Sequence, residues 1–341
     1  MTVSSNVRFG VLGCSGVAQK GVLPALRTTQ HALLAMVGSR TPEKAKRVAA
    51  EFGCDTYGTY DELIHNNNLD AVYISLPHAL HEEWSIKALE AGKHVYCEKP
   101  AALSYASAQR MVATARKNNV RLIEGLMFRY HPQHAAVRTI IQQGALGDLI
   151  RFNGTFCYPR PDNNSILMSS ELRGGSLYAA MPHPLAASRM IFAEEPEQVF
   201  CHMDFDKKSG VDVQSELWLG YPNGKSATLF SAFGAYFQST YTVLGTVGSI
   251  TSKRAYAVPR DRATTIVLDT NDTVTETIIE PADHFALLLD SFCQEISKGS
   301  QSTAPYEEDV LAQACILEAA QRSHTQQRVV TLEEIKKENK M

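Results

Sequence analysis

No uninterrupted apolar run in these 341 residues approaches the roughly 18 needed to cross a bilayer, so a membrane-spanning helix is not expected. Nor is there a basic block. Net charge is −3 and the isoelectric point about 6.4, whereas a protein that grips a nucleic-acid backbone normally shows a cationic face. Nucleic acid is therefore not an expected partner. The seven cysteines are scattered, odd in number and never spaced C-x-x-C. They read as small core residues in a reducing compartment rather than as a disulfide frame. The opening "MTVSSNVRFG" has neither the charged nor the apolar region of a secretory signal. A cytoplasmic protein is the expectation. There is no internal repeat and no low-complexity linker.

What is present is an ordinary globular composition, 44% hydrophobic and 20% charged, in a chain long enough for more than one domain. From residue 7 to 124, strand-like and helix-like segments alternate. "VRFGVLG", "LLAMVGS", "DAVYISLP", "HVYCE" and "RLIEG" read as short apolar strands. "VLPALRTT", "PEKAKRVAAEFG", "HEEWSIKALEAG" and "YASAQRMVATARKNN" read as the helices between them. Pro42 suits a first turn, and Gly53 and Gly92 suit helix ends. This alternation predicts a doubly wound parallel sheet with both faces covered, a Rossmann-type domain over 1–125.

Near residue 125 the period changes. After one helix, "HAAVRTIIQQGALG", come seven strand-like runs at hairpin spacing, with turn signals at Pro222-Asn223-Gly224 and Asn271-Asp272. Two helices follow, and the charged tail "EEIKKENKM" is expected to fray. The expectation for 126–341 is an α+β domain on a large, mainly antiparallel sheet with helices on one face.

"FGVLGCSGVAQ" leaves the first strand and opens the first helix. Against the fingerprint G-x-G-x-x-G/A it reads Gly13, Cys14, Ser15, Gly16, Val17, Ala18. Gly13 fits the tight turn, and Ala18 is small enough for close packing of helix on sheet. Ser15 takes the middle glycine position, with Gly16 one residue on. A helix N-terminus there offers free N–H groups to phosphate. The second strand ends Gly38-Ser39-Arg40-Thr41, with Lys44 a turn beyond, where NAD-binding versions usually carry an acid. Arg40 offers a 2′-phosphate a charge-matched fork and Ser39 a hydroxyl, which predicts NADP(H) over NAD(H). The alternative reading of Arg40 and Lys44 is a solvated helix start.

The stretches "GVLGCSGVA", "LDAVYISLPHALHEEWSIKALEAGKHVYCEKP", "MFRYHPQH", "GALGDLIRFNGTF" and "ELRGGSLYAAMPHPLAASRMIF" together resemble the glucose-fructose oxidoreductase/inositol dehydrogenase (Gfo/Idh/MocA) family. With "EEDVLAQACILEAAQRS" the likeness covers nearly the whole chain. It is nearest to the branch acting on sugars and sugar nucleotides, including ketoreductases of deoxysugar synthesis. The resemblance implies that Lys99 of "EKP" is catalytic, with Pro100 fixing the turn and Glu98 orienting the lysine. An ammonium there would stabilise the negative charge of a ketone becoming an alkoxide. It also sets Leu76, Pro77, His81 and Glu98 among the residues at the cofactor. Arg129, Tyr130 and His131 would border the substrate, and Asn163 and Asn164 would meet sugar hydroxyls. The rival reading of Tyr130 and His131 is packing at the domain junction.

The second signature of that family, G-G-x-L-x-D-x-G-x-H/Y, reads here from Gly174 to His183. His183 falls on the proton-relay position, and an imidazole with an ordinary pKa of about 6.5 suits it. The aspartate position, however, holds Ala179. Three readings stay open: another group compensates, with Tyr178 or Glu171 the local candidates; the substrate does not need the group; or the chain binds NADP(H) without turnover. A ligand-sensing protein of the same fold and a dehydrogenase of a non-sugar cyclic diol are the rival functions. The pairs His78/His81 and His131/His134 lack third and fourth ligands and read as hydrogen-bonded histidines rather than a metal site. A small carbohydrate substrate, no metal, and a homo-dimer or homo-tetramer complete the expectations.

Overall fold

Val7–Leu12 (β1) carries a single charge, Arg8, and is otherwise buried throughout, as a strand covered on both faces should be. It pairs in parallel with Ala32–Gly38 (β2). The computed structural model describes residues 6–339; the first half of "MTVSSNVRFG" and the last two residues of the tail lie outside the described residues. Tyr57–Gly58 (β3), Ala71–Ile74 (β4), His94–Cys97 (β5) and Leu122–Glu124 (β6) complete a six-stranded sheet in the order β3-β2-β1-β4-β5-β6. All five pairings are parallel. The strand order reverses direction between β1 and β4. At such a switch point the connections leave a crevice outside the carboxyl ends of the strands, where ligands bind.

The helices Pro42–Glu51, His81–Glu90 and Tyr105–Lys117 stand where the sequence places them, the first with its proline in the opening turn. The first helix starts earlier than "VLPALRTT": a π-helical turn, Ala18–Val22, precedes Leu23–Leu26.

The second sheet has nine strands: Leu149–Tyr158 (β7), Gln198–Phe205 (β8), Asp212–Gly220 (β9), Ser226–Phe233 (β10), Gln238–Gly245 (β11), Gly248–Ser252 (β12), Thr264–Thr270 (β13), Val274–Ile279 (β14) and Val330–Thr331 (β15). Their order is β14-β13-β12-β11-β7-β10-β9-β8-β15. Only β7 and β10 pair in parallel; the rest are antiparallel. Burial alternates along β8 and β9, so one face is covered and the other is open. Helices Pro132–Gln142 and Pro182–Phe192 pack on this sheet. The open face carries one cross-strand row running Phe200, Trp218, Thr228, Asn153, Thr242, Thr251, Val267, Glu276.

The chain divides into two compact units. One comprises the residues up to Met127 together with Phe285–Leu311; the other comprises Phe128–His284 with the chain from Ala312 onward. Among the described residues no helix is long and apolar enough to cross a membrane.

The tail corrects an expectation. Leu332–Glu338 is helical rather than frayed. Thr331 and Glu334 form a reciprocal capping box, with the Glu334 carboxylate 3.0 Å from the Thr331 N–H. Leu332 and Ile335 are buried, and Val330 pairs with Val199 of β8. Reading "EEIKKENKM" by charge alone overlooked the T-x-x-E start signal just before it.

Candidate active site

Four neighbouring strands of the parallel sheet end together, and the residues expected at the cofactor lie on those ends. After β1, Gly13 has φ 102°, and its N–H donates to the Gly38 carbonyl at 3.0 Å. A Cβ there would stand 2.5 Å from the Ser75 carbonyl oxygen. Only glycine can pass between the ends of β2 and β4. The Ser15 hydroxyl bonds to Ser75 Oγ and accepts the Ala18 N–H at 3.1 Å. It therefore caps the helix start from beneath. Gly16 has open space where a side chain would be. Gln19 Nε2 donates to the Cys14 carbonyl at 3.1 Å and holds the loop from the helix side. Cys14 is buried, and burial raises its thiol above the ordinary range. Val17 lies on the surface.

At the end of β2, Ser39 is buried while Arg40 and Lys44 are exposed. Arg47, one turn after Lys44, adds a third cation that sequence reading passed over. Among the described residues no acid pairs with any of the three.

After β4 come Leu76 and Pro77. His81 is buried, with Nε2 2.9 Å from the Leu76 carbonyl and Nδ1 2.8 Å from the Pro100 carbonyl. Both ring nitrogens are thus engaged by backbone. Burial lowers its pKa, and a neutral ring donates to only one of the two. Its part is to tie the loop after β4 to the loop after β5 rather than to present a donor to a ligand.

Glu98 follows β5 and is buried, with Oε1 accepting the Tyr73 hydroxyl at 2.8 Å. Tyr73 Oη stands 3.4 Å from Ser75 Oγ. A polar line therefore runs under the strand ends from Glu98 through Tyr73 and Ser75 to Ser15. Sequence reading missed Tyr73 and Ser75, because a tyrosine and a serine inside an apolar strand carry no signal without their neighbours. Lys99 is half-buried, and the Lys99–Pro100 peptide bond is cis. Burial pulls the Lys99 ammonium below the usual lysine range, while the carboxylates of Glu98 and Glu124 oppose that fall. Burial pushes Glu98 up, against the pull of Lys99 and Tyr73. Glu124, on β6, also accepts the Ala101 N–H at 3.0 Å.

In the second unit His183 lies in the first turn of Pro182–Phe192, only 3% exposed. Its ring sits among Phe156, Phe128 and Tyr256, with centroids 4.8, 5.7 and 6.0 Å away. Nδ1 is 3.3 Å from the Ala180 carbonyl. A carbonyl only accepts, so Nδ1 carries the proton in this contact and Nε2 keeps the lone pair.

Ala179 is 2% exposed in an apolar cluster with Met168, Val211 and Phe233. The aspartate position has become part of the core. Of the local candidates to compensate, Glu171 is exposed. Tyr178 is buried, and burial pushes its phenol up. Arg129 and Tyr130 are half-buried in the 3₁₀ turn Met127–Tyr130, and Asn163 and Asn164 lie exposed on the loop after β7. His131 caps Pro132–Gln142 by accepting the Gln133 N–H on Nδ1. His134 bonds to Tyr241 Oη and the Ala255 carbonyl at 3.0 Å each, and burial takes its pKa down to about 3.

A parallel sheet with a glycine turn at its switch point and a half-buried lysine at a neighbouring strand end is the arrangement expected of a Rossmann-fold, nicotinamide-dependent oxidoreductase. Residues 7–126 match the NAD-binding Rossmann-fold domain of the GFO/IDH/MocA oxidoreductase family, and residues 134–251 match its C-terminal domain. The chain belongs to that family. It is 34% identical to an uncharacterized oxidoreductase, ORF334, of Rhizobium meliloti, over 93% of this chain and 96% of that one. It is 32% identical to dTDP-3,4-didehydro-2,6-dideoxy-alpha-D-glucose 3-reductase of Saccharopolyspora spinosa, over 92% and 96% of the two chains. Among solved structures, KijD10, a 3-ketoreductase from Actinomadura kijaniata in complex with NADP and TDP-benzene, superposes with a TM-score of 0.90. That pair is 28% identical, covering 94% of this chain and 98% of the other.

Proposed function

We propose that this oxidoreductase uses NADP(H) to move a hydride to or from a carbon of a sugar, with a nucleotide-linked keto-sugar as the substrate class. The observation that carries the reading is the gathering of Gly13, the Ser39-Arg40 pair, Leu76 and Lys99 at the carboxyl ends of four adjacent parallel strands. Relatives that reduce dTDP-linked keto-sugars support the substrate class.

The residues present fit the cofactor. Gly16 leaves open space beside the helix start that a side chain would fill, and Arg40, Lys44 and Arg47, with no acid partner among the described residues, are the cations proposed for a 2′-phosphate. NADPH, when bound, supplies the hydride. The protein's own residues do the rest. Backbone N–H groups from Ser15 to Val17 receive the pyrophosphate, the Ala18 N–H being held by the Ser15 hydroxyl. Arg40, with Ser39 and Lys44, receives the 2′-phosphate. Lys99 is assigned the stabilisation of negative charge developing on the substrate, and His183 the exchange of a proton, given in reduction and taken back in oxidation. Arg129, Tyr130, Asn163 and Asn164 are proposed to hold the substrate, and Leu76, Pro77 and Glu98 to line the nicotinamide end.

Replacing Arg40 by alanine should weaken NADPH binding about 10- to 100-fold, the weight of a charge-assisted phosphate contact, and leave NADH within threefold. A fluorescence titration with the two cofactors checks this, followed by turnover on a panel of dTDP-linked 3-keto-sugars. A wild-type preference for NADH overturns the cofactor assignment. Tight NADPH binding with no turnover on the panel moves the reading to a sensor.

The open face of the nine-stranded sheet supports self-association in a homo-dimer or homo-tetramer. Phe200 and Trp218 lie side by side on it, each 38% exposed, which is unusual for residues this large on an uncovered sheet. Trp218→Glu should shift the protein to monomer on a sizing column with light scattering. A monomeric wild type rules the assembly out. All seven cysteines are unpaired and buried, which supports a reducing, cytoplasmic setting.

A further inference from the structure

The loss of the aspartate at 179 leaves one question: what holds the turn that carries His183. The nearest acid with a structural claim on that turn is not adjacent in sequence. Asp212 opens β9. Opposite it on β8, Asp204 faces Gln214 but Phe205 faces Asp212, so β9 carries an extra residue, Val213. A bulge of this kind re-aims the side chain beside it. Asp212 is buried, 6% exposed, although strict alternation from Leu217 through Ser215 would put position 212 on the open face.

The carboxylate meets the turn directly. Asp212 Oδ2 accepts the Leu177 N–H at 2.6 Å, the Ser176 hydroxyl at 2.8 Å and the Ser215 hydroxyl at 2.8 Å. Its other oxygen lies where a Cβ on Gly175 would collide, at 2.0 Å, and Gly175 has φ 105°. The second glycine of the Gly-Gly pair is thus required twice over: by its backbone conformation and by the closeness of the acid. From there the chain of bonds continues. The Ser176 carbonyl accepts the Ala180 N–H at 2.9 Å and the Met181 N–H at 3.1 Å. Ser231 Oγ donates to the same carbonyl at 3.3 Å. The Ala180 carbonyl then accepts the His183 N–H at 3.2 Å and the His183 Nδ1 proton at 3.3 Å. Two consecutive turns therefore connect the acid to the imidazole.

We infer that Asp212 is a positioning residue for His183: from β9 it fixes the Ser176–Ala180 turn whose last carbonyl holds Nδ1–H, so that Nε2 is the nitrogen that takes up a proton in oxidation and, once protonated, gives it in reduction. This deepens the proposed function and rests on His183 as the proton relay. The imidazole is oriented by a backbone carbonyl in place of a carboxylate of its own, and the acid acts one step further back. Ala179 is then free to join the apolar cluster. A carboxylate at 179 is not missing from the machinery; its orienting task has moved.

The experiment has two readouts, one independent of turnover. In full-length protein labelled with ¹⁵N-histidine, long-range ¹H–¹⁵N correlation reports each ring's tautomer, and His183→Asn assigns the signal. The wild type should show His183 as the Nδ1–H tautomer. Asp212→Ala should convert it to a mixture with Nε2–H and lower kcat about 100-fold, the scale of a displaced catalytic group. The KM for the dTDP-keto-sugar and the Kd for NADPH should stay within threefold. Asp212→Asn should do less, about a tenfold loss in kcat. Its amide cannot avoid turning –NH₂ toward either the Leu177 N–H or its own backbone N–H, but it keeps one acceptor. In the His183→Asn background either Asp212 change should cost less than twofold further.

An unchanged His183 tautomer in a folded Asp212 variant overturns the inference. So does an equal loss of kcat with and without His183. Should Asp212→Ala not fold, the Asn variant decides by the same two criteria. Full turnover in His183→Asn alone would instead remove the proton-relay reading, while the tautomer result would still say whether Asp212 positions the ring.

Discussion

Lys99→Met should bind NADPH within about threefold of wild type and lose roughly 10²- to 10³-fold or more in turnover, the scale of removing one preorganised charge from a developing oxyanion. Methionine keeps most of the stem length and removes the ammonium. The phosphate turn, the Ser39-Arg40 pair and the Glu98–Tyr73 hydrogen bond make no use of that ammonium, so cofactor affinity should survive. The carboxylates of Glu98 and Glu124 lose a cation neighbour. Glu98 is already pushed up by burial, so it meets the change by protonating more readily, which limits the cost to the fold. The pH dependence follows in sign. Burial lowers the Lys99 pKa, so its charge is lost as pH rises through a value below the ordinary lysine pKa of about 10.4. Ketone reduction should therefore fall on an alkaline limb that begins below that value. Steady-state kinetics and a cofactor titration on the two proteins decide the matter, and retained turnover in the methionine variant removes Lys99 from the chemistry.

His183→Asn should lower kcat by about 10²- to 10⁴-fold, the range for a positioned general acid–base, with little change in NADPH affinity. Asparagine is the informative replacement because its –NH₂ can still donate to the Ala180 carbonyl. The variant keeps the backbone satisfied and removes only the nitrogen that exchanges a proton. It also vacates part of the space among Phe156, Phe128 and Tyr256. A modest loss of stability, about 1–3 kcal/mol, should accompany it and appear as a lower melting temperature. Turnover within threefold of wild type would show that the proton comes from elsewhere.

Much of the architecture was readable because the two domains obey different periods. Strands buried on both faces appear as plain apolar runs such as "AVYI", and strands open on one side alternate, as "QVFCHM" does. The glycine turn was readable from Gly13 and its place after β1, and the proposed role of Arg40 from the missing acid there. Other residues were out of reach. Ser15 occupies a glycine position, and nothing in "GCSGVA" says that its hydroxyl is taken by Ser75, 60 residues away. Tyr178 and Glu171 were the local candidates to replace the lost acid, and Glu171 lies on the surface; the acid that meets the turn is 33 positions beyond Ala179.

By itself, then, the sequence determined the element types, the glycine turn after β1, the cations proposed for a 2′-phosphate and the two side chains proposed for the chemistry. These depend on local spacing and on residue type, which a linear reading contains. Tertiary structure alone decided which carbonyl holds the imidazole, why Gly175 must be glycine and where Asp212 points. The last turns on one bulged residue in β9, since a single-residue shift in a strand exchanges its two faces, and no local pattern in "GVDVQSEL" reveals which partner strand will impose it.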